Sequence, residues 1–122
     1  MFLPYDEVII MTPSDPYYNK KVMIVETHIN MDGTITYITT AGWDIERKES
    51  ELKLHKKGNW RKKVFKKEFE PGDKVKWISR HYVNISTITQ KIYFWHTSRI
   101  YYHLSCNLTF TASKLRLCEG GI

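Results

Sequence analysis

The chain carries the same order of features twice, and this repetition restricts its fold more than any other property it has. One stretch opens with Asp6-Glu7-Val8-Ile9-Ile10 and closes with Ser50-Glu51-Leu52-Lys53-Leu54. The other opens with Asp73-Lys74-Val75-Lys76-Trp77 and closes with Ser113-Lys114-Leu115-Arg116-Leu117. Between these ends lies an apolar run that finishes in histidine, residues 21–28 in one copy and 91–96 in the other. A third run follows in each, Thr34-Ile35-Thr36-Tyr37-Ile38 and Arg99-Ile100-Tyr101-Tyr102-His103. The spacing between copies drifts from 67 residues at the start to 63 at the end, so small loop changes separate them.

The runs are short, rich in Val, Ile, Thr, Tyr, Phe and Trp, and bounded by turn residues, which is the pattern of strands. Asp32-Gly33 predicts a tight hairpin, because glycine accepts the positive φ that such a turn demands. Pro71-Gly72 marks the start of the second copy, and Pro13, Asp15 and Pro16 punctuate a longer loop after the first strand. No long segment has a helical period; residues 44–51 suit one short turn at most.

A first strand, a long loop, a hairpin and a short last strand, all within residues 5–54 and again within 72–118, resemble the small SH3-like barrels, a group that includes Tudor and KOW modules. The carriers are Glu7-Val8-Ile9-Ile10 and Lys74-Val75-Lys76-Trp77, the hairpin Asp32-Gly33-Thr34-Ile35-Thr36-Tyr37, and the endings Glu51-Leu52-Lys53-Leu54 and Lys114-Leu115-Arg116-Leu117. Thr97-Ser98 stands in the second copy where the first has Asp-Gly. The resemblance implies an all-β protein of two tandem SH3-like barrels related by internal duplication. Their bounds are 1–54 and 71–122, with a connector at 55–70. Barrels this small bury little, so the two are expected to pack on each other or across a homodimer interface. Modules of this kind occur in small phage and low-GC bacterial proteins.

Charge divides along the same lines. Residues 1–52 carry four basic and nine acidic side chains, residues 53–67 eight basic and no acidic ones, and residues 68–122 seven basic and four acidic. The connector therefore predicts attraction to phosphates through Lys56, Lys57, Arg61, Lys62, Lys63, Lys66 and Lys67, with Trp60 available to stack on a base. Lysine outnumbers arginine fourteen to five, which suits phosphate contact more than bidentate base reading. Trp77, Tyr82, Tyr93, Phe94, Trp95, Tyr101 and Tyr102 crowd the second module, where they either fill a core or form a binding surface. Asp44, Glu46, Glu49 and Glu51 make an acidic patch that suits contact with a nucleic-acid-handling protein.

These features predict a cytoplasmic binding protein that contacts nucleic acid or a nucleic-acid-binding protein. The alternative is a phage-encoded inhibitor, of anti-CRISPR or other anti-defence type, that blocks a host nuclease by protein contact. No Gly-rich phosphate loop, HExxH or nucleophile elbow is present, so no enzyme, small-molecule substrate or cofactor is expected. His96, His103, Cys106 and Cys118 fit no zinc-knuckle spacing, and no metal is expected. No apolar run reaches the roughly 18–20 residues of a membrane span.

Overall fold

The computed structural model describes residues 1–60, 68–97 and 99–118. They form ten strands and two single 3₁₀ turns. The first half contains β1 (Glu7–Ile10), β2 (Lys21–Asn30), β3 (Ile35–Thr39), β4 (Arg47–Lys48), a 3₁₀ turn at Glu49–Glu51 and β5 (Leu52–Lys56). The second contains β6 (Lys74–Ser79), β7 (Tyr82–Phe94), β8 (Ile100–Leu104), β9 (Thr109–Thr111), a 3₁₀ turn at Ala112–Lys114 and β10 (Arg116–Leu117). The fold is all-β, as the strand-forming composition predicts.

Pairing repeats between the halves. β1 lies antiparallel to β2 and β5, and β3 to β2 and β4. In the same way β6 lies antiparallel to β7 and β10, and β8 to β7 and β9. Each second strand has a bulge at a matching place, between Ile24 and Glu26 in β2 and between Ile88 and Gln90 in β7. A bulge bends a strand and increases its twist, so one long strand serves two neighbours at an angle. Each closing strand follows a 3₁₀ turn sealed by the amide of a buried leucine, Leu52 to the Glu49 carbonyl and Leu115 to the Ala112 carbonyl.

The lead-in to each half is also duplicated, further upstream than the opening strands alone suggest. Phe2-Leu3-Pro4-Tyr5-Asp6 and Phe69-Glu70-Pro71-Gly72-Asp73 share phenylalanine, proline and aspartate at a constant spacing. Each phenylalanine packs on a buried tyrosine, Phe2 on Tyr37 and Phe69 on Tyr102, and its amide donates to that tyrosine's hydroxyl at 3.0 and 3.2 Å. Asp6 and Asp73 each accept from an amide three residues back, that of Leu3 and of Glu70, both at 2.9 Å. Two small cores result. Val8, Ile10, Ile24, Tyr37 and Leu52 fill the first; Val75, Ile88, Tyr93, Tyr102 and Leu115 fill the second. Each buried aliphatic of this size contributes about 1.5–3 kcal/mol.

The halves meet edge to edge through backbone hydrogen bonds. β2 pairs antiparallel with β7, from Glu26 opposite Phe94 to Asn30 opposite Gln90. His28 faces Ile92, and these two hold matching places in their halves, so the seam has approximate two-fold symmetry. All ten strands thus belong to one open antiparallel sheet. This corrects the expectation of two closed barrels: β2 pairs with β1 and β3 inside its own half and also with β7, so the two halves run on as one sheet. Among the described residues no helix is long and apolar enough to cross a membrane.

Candidate nucleic-acid interface

The start of the basic connector lies on the first half. β5 ends at Lys56, the chain continues through Lys57, Gly58 and Asn59, and the Gly58 amide donates to the Asp6 carboxylate at 2.7 Å. A Cβ at residue 58 would collide with the backbone carbonyl of Tyr5, so only glycine lets the connector approach this closely. Between the connector and β2 runs a groove of about 690 Å³, lined by Tyr5, Lys21, Lys56, Lys57 and Asn59, with Glu7 as its single carboxylate. Three lysines against one carboxylate give the groove a positive balance.

An aromatic row borders this groove. The Tyr5 ring meets Trp95 edge-on at 6.3 Å, Trp95 lies 6.3 Å from Trp43, and Trp43 is 57% exposed. The Trp95 amide donates to the Val25 carbonyl at 2.9 Å, which holds the β7–β8 connection against the first half. The row is therefore assembled from both halves. Tyr5 has φ of 73°, in the left-handed region that disfavours side chains, while its counterpart Gly72 takes φ of 97° without penalty. Both amides make the same bond, Tyr5 to the Ile24 carbonyl and Gly72 to the Ile88 carbonyl. The backbone requires the conformation; only the first half places an aromatic ring on it.

The structure assigns the expected contact residues different surroundings. Lys56 and Lys57 line the groove. Trp60 does not face solvent as a stacking platform: its Nε1–H donates to the carbonyls of Phe94 and Thr97, at 3.1 and 3.0 Å, and its ring stacks on Tyr93 at 5.4 Å. It anchors the connector to the second half. Arg61, Lys62, Lys63, Lys66 and Lys67 lie outside the described residues. Tyr5, Lys21 and Trp43 were not singled out from sequence; the repeated Phe-x-Pro-x-Asp spacing would have pointed to Tyr5.

Three of the four residues of the acidic patch hydrogen-bond to the fold while Asp44, Glu46 and Glu49 stay exposed. Glu46 accepts from the Thr36 hydroxyl at 2.7 Å, Glu49 from the Tyr37 hydroxyl at 2.6 Å and from the terminal amine at 3.1 Å, and Glu51 from the Lys48 amide at 3.1 Å. Asp44 alone of the four has no such partner among the described residues. The Tyr37 hydroxyl and the terminal amine hold Glu49 below the usual carboxylate range, while burial and Glu49 push the Tyr37 hydroxyl up. The aromatics of the second half divide by face. Tyr93 and Tyr102 are core, Trp77 packs on Phe110 at 5.2 Å, Phe94 and Tyr101 lie half-buried on the opposite face, and Tyr82 projects with 73% exposure.

Each half also buries one cation. Arg47 is held by Asp15, whose carboxyl this contact keeps below its usual range. Lys91 is 2% exposed; burial opposes its charge, but Glu68 and Glu70 outweigh that and raise its pKa. Among the described residues no three His, Cys, Asp or Glu side chains come together as a metal site, His96, His103, Cys106 and Cys118 included. Comparison with protein-family models, with curated proteins and with solved structures finds no match.

Proposed function

We propose that this chain is a non-enzymatic binding protein, built as two tandem SH3-like units, that holds single-stranded nucleic acid along the lysine groove of its first half. The repeated strand order, bulges and 3₁₀ turns support the tandem reading. The observation that carries the function is Tyr5. A strained tyrosine stands where the other half accommodates glycine, and its ring joins Trp95 and Trp43 beside Lys21, Lys56 and Lys57. Strain of this kind persists where a side chain is useful. Aromatic faces stack on bases of any sequence and lysines neutralise phosphates, so the pairing favours single strands over base-specific duplex contact.

The test is a titration of fluorescently labelled single-stranded DNA and RNA, followed by anisotropy across a range of salt. Three phosphate contacts predict a log–log salt slope of roughly −2. Tyr5→Gly is expected to leave the fold as stable or more so, yet to weaken binding about 5- to 100-fold, the range for one lost stacking contact. Replacing Lys21, Lys56 and Lys57 with glutamine flattens the salt slope. Absence of binding at low salt would refute the reading, as would a Tyr5→Gly variant that binds as well as the parent.

A further inference from the structure

The hairpin of β6 and β7 projects beyond the rest of the second half and leaves one backbone edge open. In the first half, β1 is covered by β5 to its end: Ile10 pairs with Leu52, and the Met11 amide donates to the Glu51 carbonyl at 2.9 Å. In the second half, β10 covers only Val75 and Lys76, while β6 runs on through Trp77, Ile78 and Ser79. Ile78 holds the place of Met11, so its amide points toward the same side, and among the described residues it finds no partner there. Beside it lies a groove of about 340 Å³ between the hairpin and the 3₁₀ turn at Ala112–Lys114, lined by Lys76, Trp77, Ile78, Val83, Lys114 and Arg116.

The chemistry of this groove is one-sided. From residue 74 to residue 118 the sequence contains no aspartate or glutamate. Ile78, 74% exposed, pairs across the hairpin with Val83, and Ile85 pairs with Lys76, so these side chains share one face. An unpaired strand edge accepts another strand, apolar side chains on that face accept alternate residues of it, and three cations at its rim select carboxylates. Nucleic acid has no peptide group to satisfy the edge. A second copy meeting face to face would oppose Lys76 and Arg116 to their own likes.

We infer that an extended, acidic segment of a partner protein, with apolar residues alternating between its carboxylates, adds as a strand to residues 77–79 of β6. This site lies apart from the Tyr5 groove and does not rest on the nucleic-acid reading.

The probe is a short labelled peptide of alternating glutamate and valine, compared with its lysine–valine counterpart and with a single-stranded oligonucleotide. The acidic peptide is expected to bind, with slowed exchange of the Ile78 amide. The lysine peptide is expected not to bind. The paired substitutions Lys76→Glu and Arg116→Glu should weaken binding tenfold or more, and Ile78→Asp, at a solvent-facing position, should do so without loss of fold. No binding of the acidic peptide, equal binding of both peptides, or binding without protection of the Ile78 amide overturns the inference. So does displacement of the peptide by the oligonucleotide, which assigns the face to nucleic acid. Sedimentation showing a dimer that Ile78→Asp dissolves overturns it too, because the edge then belongs to a second copy.

Discussion

Between β1 and β2, residues 11–20 fold back over the first half; at the corresponding place in the second half, β6 and β7 continue outward as a hairpin. The two connections differ in length, ten residues against two, and one matched position goes with the difference. Arg47 on β4 and Phe110 on β9 occupy matching places, opposite Tyr37 and Tyr102. Arg47 is 1% exposed and reaches the loop: Nε and Nη2 donate to Asp15 at 2.9 and 3.2 Å, and Nη1 to Thr39 and the Ala41 carbonyl at 3.0 and 2.7 Å. Tyr17 lies over the guanidinium at 5.9 Å. Phe110 has no charge to offer and supports Trp77 instead, which leaves Ile78, Tyr82 and Val83 in solvent. On a shared scaffold, a long loop with Asp15 meets a buried cation and closes as a flap, while a short turn beside a ring stays a free arm.

The largest test of this contrast is Arg47→Met. It removes the buried cation that holds the flap and strands Asp15 and the Ala41 carbonyl, so it should cost about 3–5 kcal/mol, measured by urea unfolding. If the loss is small, the clamp does not hold the flap. Gly58→Ala should come next, at about 1–3 kcal/mol, because the new methyl must push the connector off Tyr5. Weakened oligonucleotide binding in this variant would tie the connector's path to the groove.

Acid should loosen the first half through two identified carboxyls. Asp15 and Glu49 titrate below their ordinary values of 3.8 and 4.5 when folded. Their stabilisation is complete above those values and is lost as pH falls through the lowered ones. Unfolding midpoints at pH 6 and pH 3 should therefore differ more in the parent than in Asp15→Asn, and equal differences would remove Asp15 from the account. The smallest effect belongs to the free arm. Ile78→Thr should change stability by less than about 0.5 kcal/mol, since the side chain is already in water. A larger loss would mean that the arm packs on something in solution.

Much of this was legible in the residues. The Asp32-Gly33 turn forms as expected, with Gly33 at φ of 88° and Asp32 accepting the Thr34 amide at 3.0 Å. The paired endings Leu52-Lys53-Leu54 and Leu115-Arg116-Leu117 mark the closing strands: Leu52 opens β5, Leu115 immediately precedes β10, and both leucines are core. Residues 44–51 hold the expected short turn, though a two-residue strand precedes it. What stayed hidden was non-local. Nothing in the Glu26–Asn30 stretch announces a partner sixty residues away, because backbone pairing between edges leaves no mark on side-chain pattern. Trp60 looked like a free ring among lysines, yet its indole N–H needed two carbonyls that only the folded chain brings near. The partners of the acidic patch were hidden for a similar reason: the hydroxyls that bond Glu46 and Glu49 belong to Thr36 and Tyr37 on β3.

A joint of five backbone pairs, Glu26 through Asn30 with Phe94 through Gln90, has no swivel. Whatever is gripped on one side of it is presented at a set distance and angle to whatever is gripped on the other. If both grooves take ligands, the molecule acts as a gauge: two tethered targets engage together only when their spacing matches, and then at a local concentration far above that in bulk.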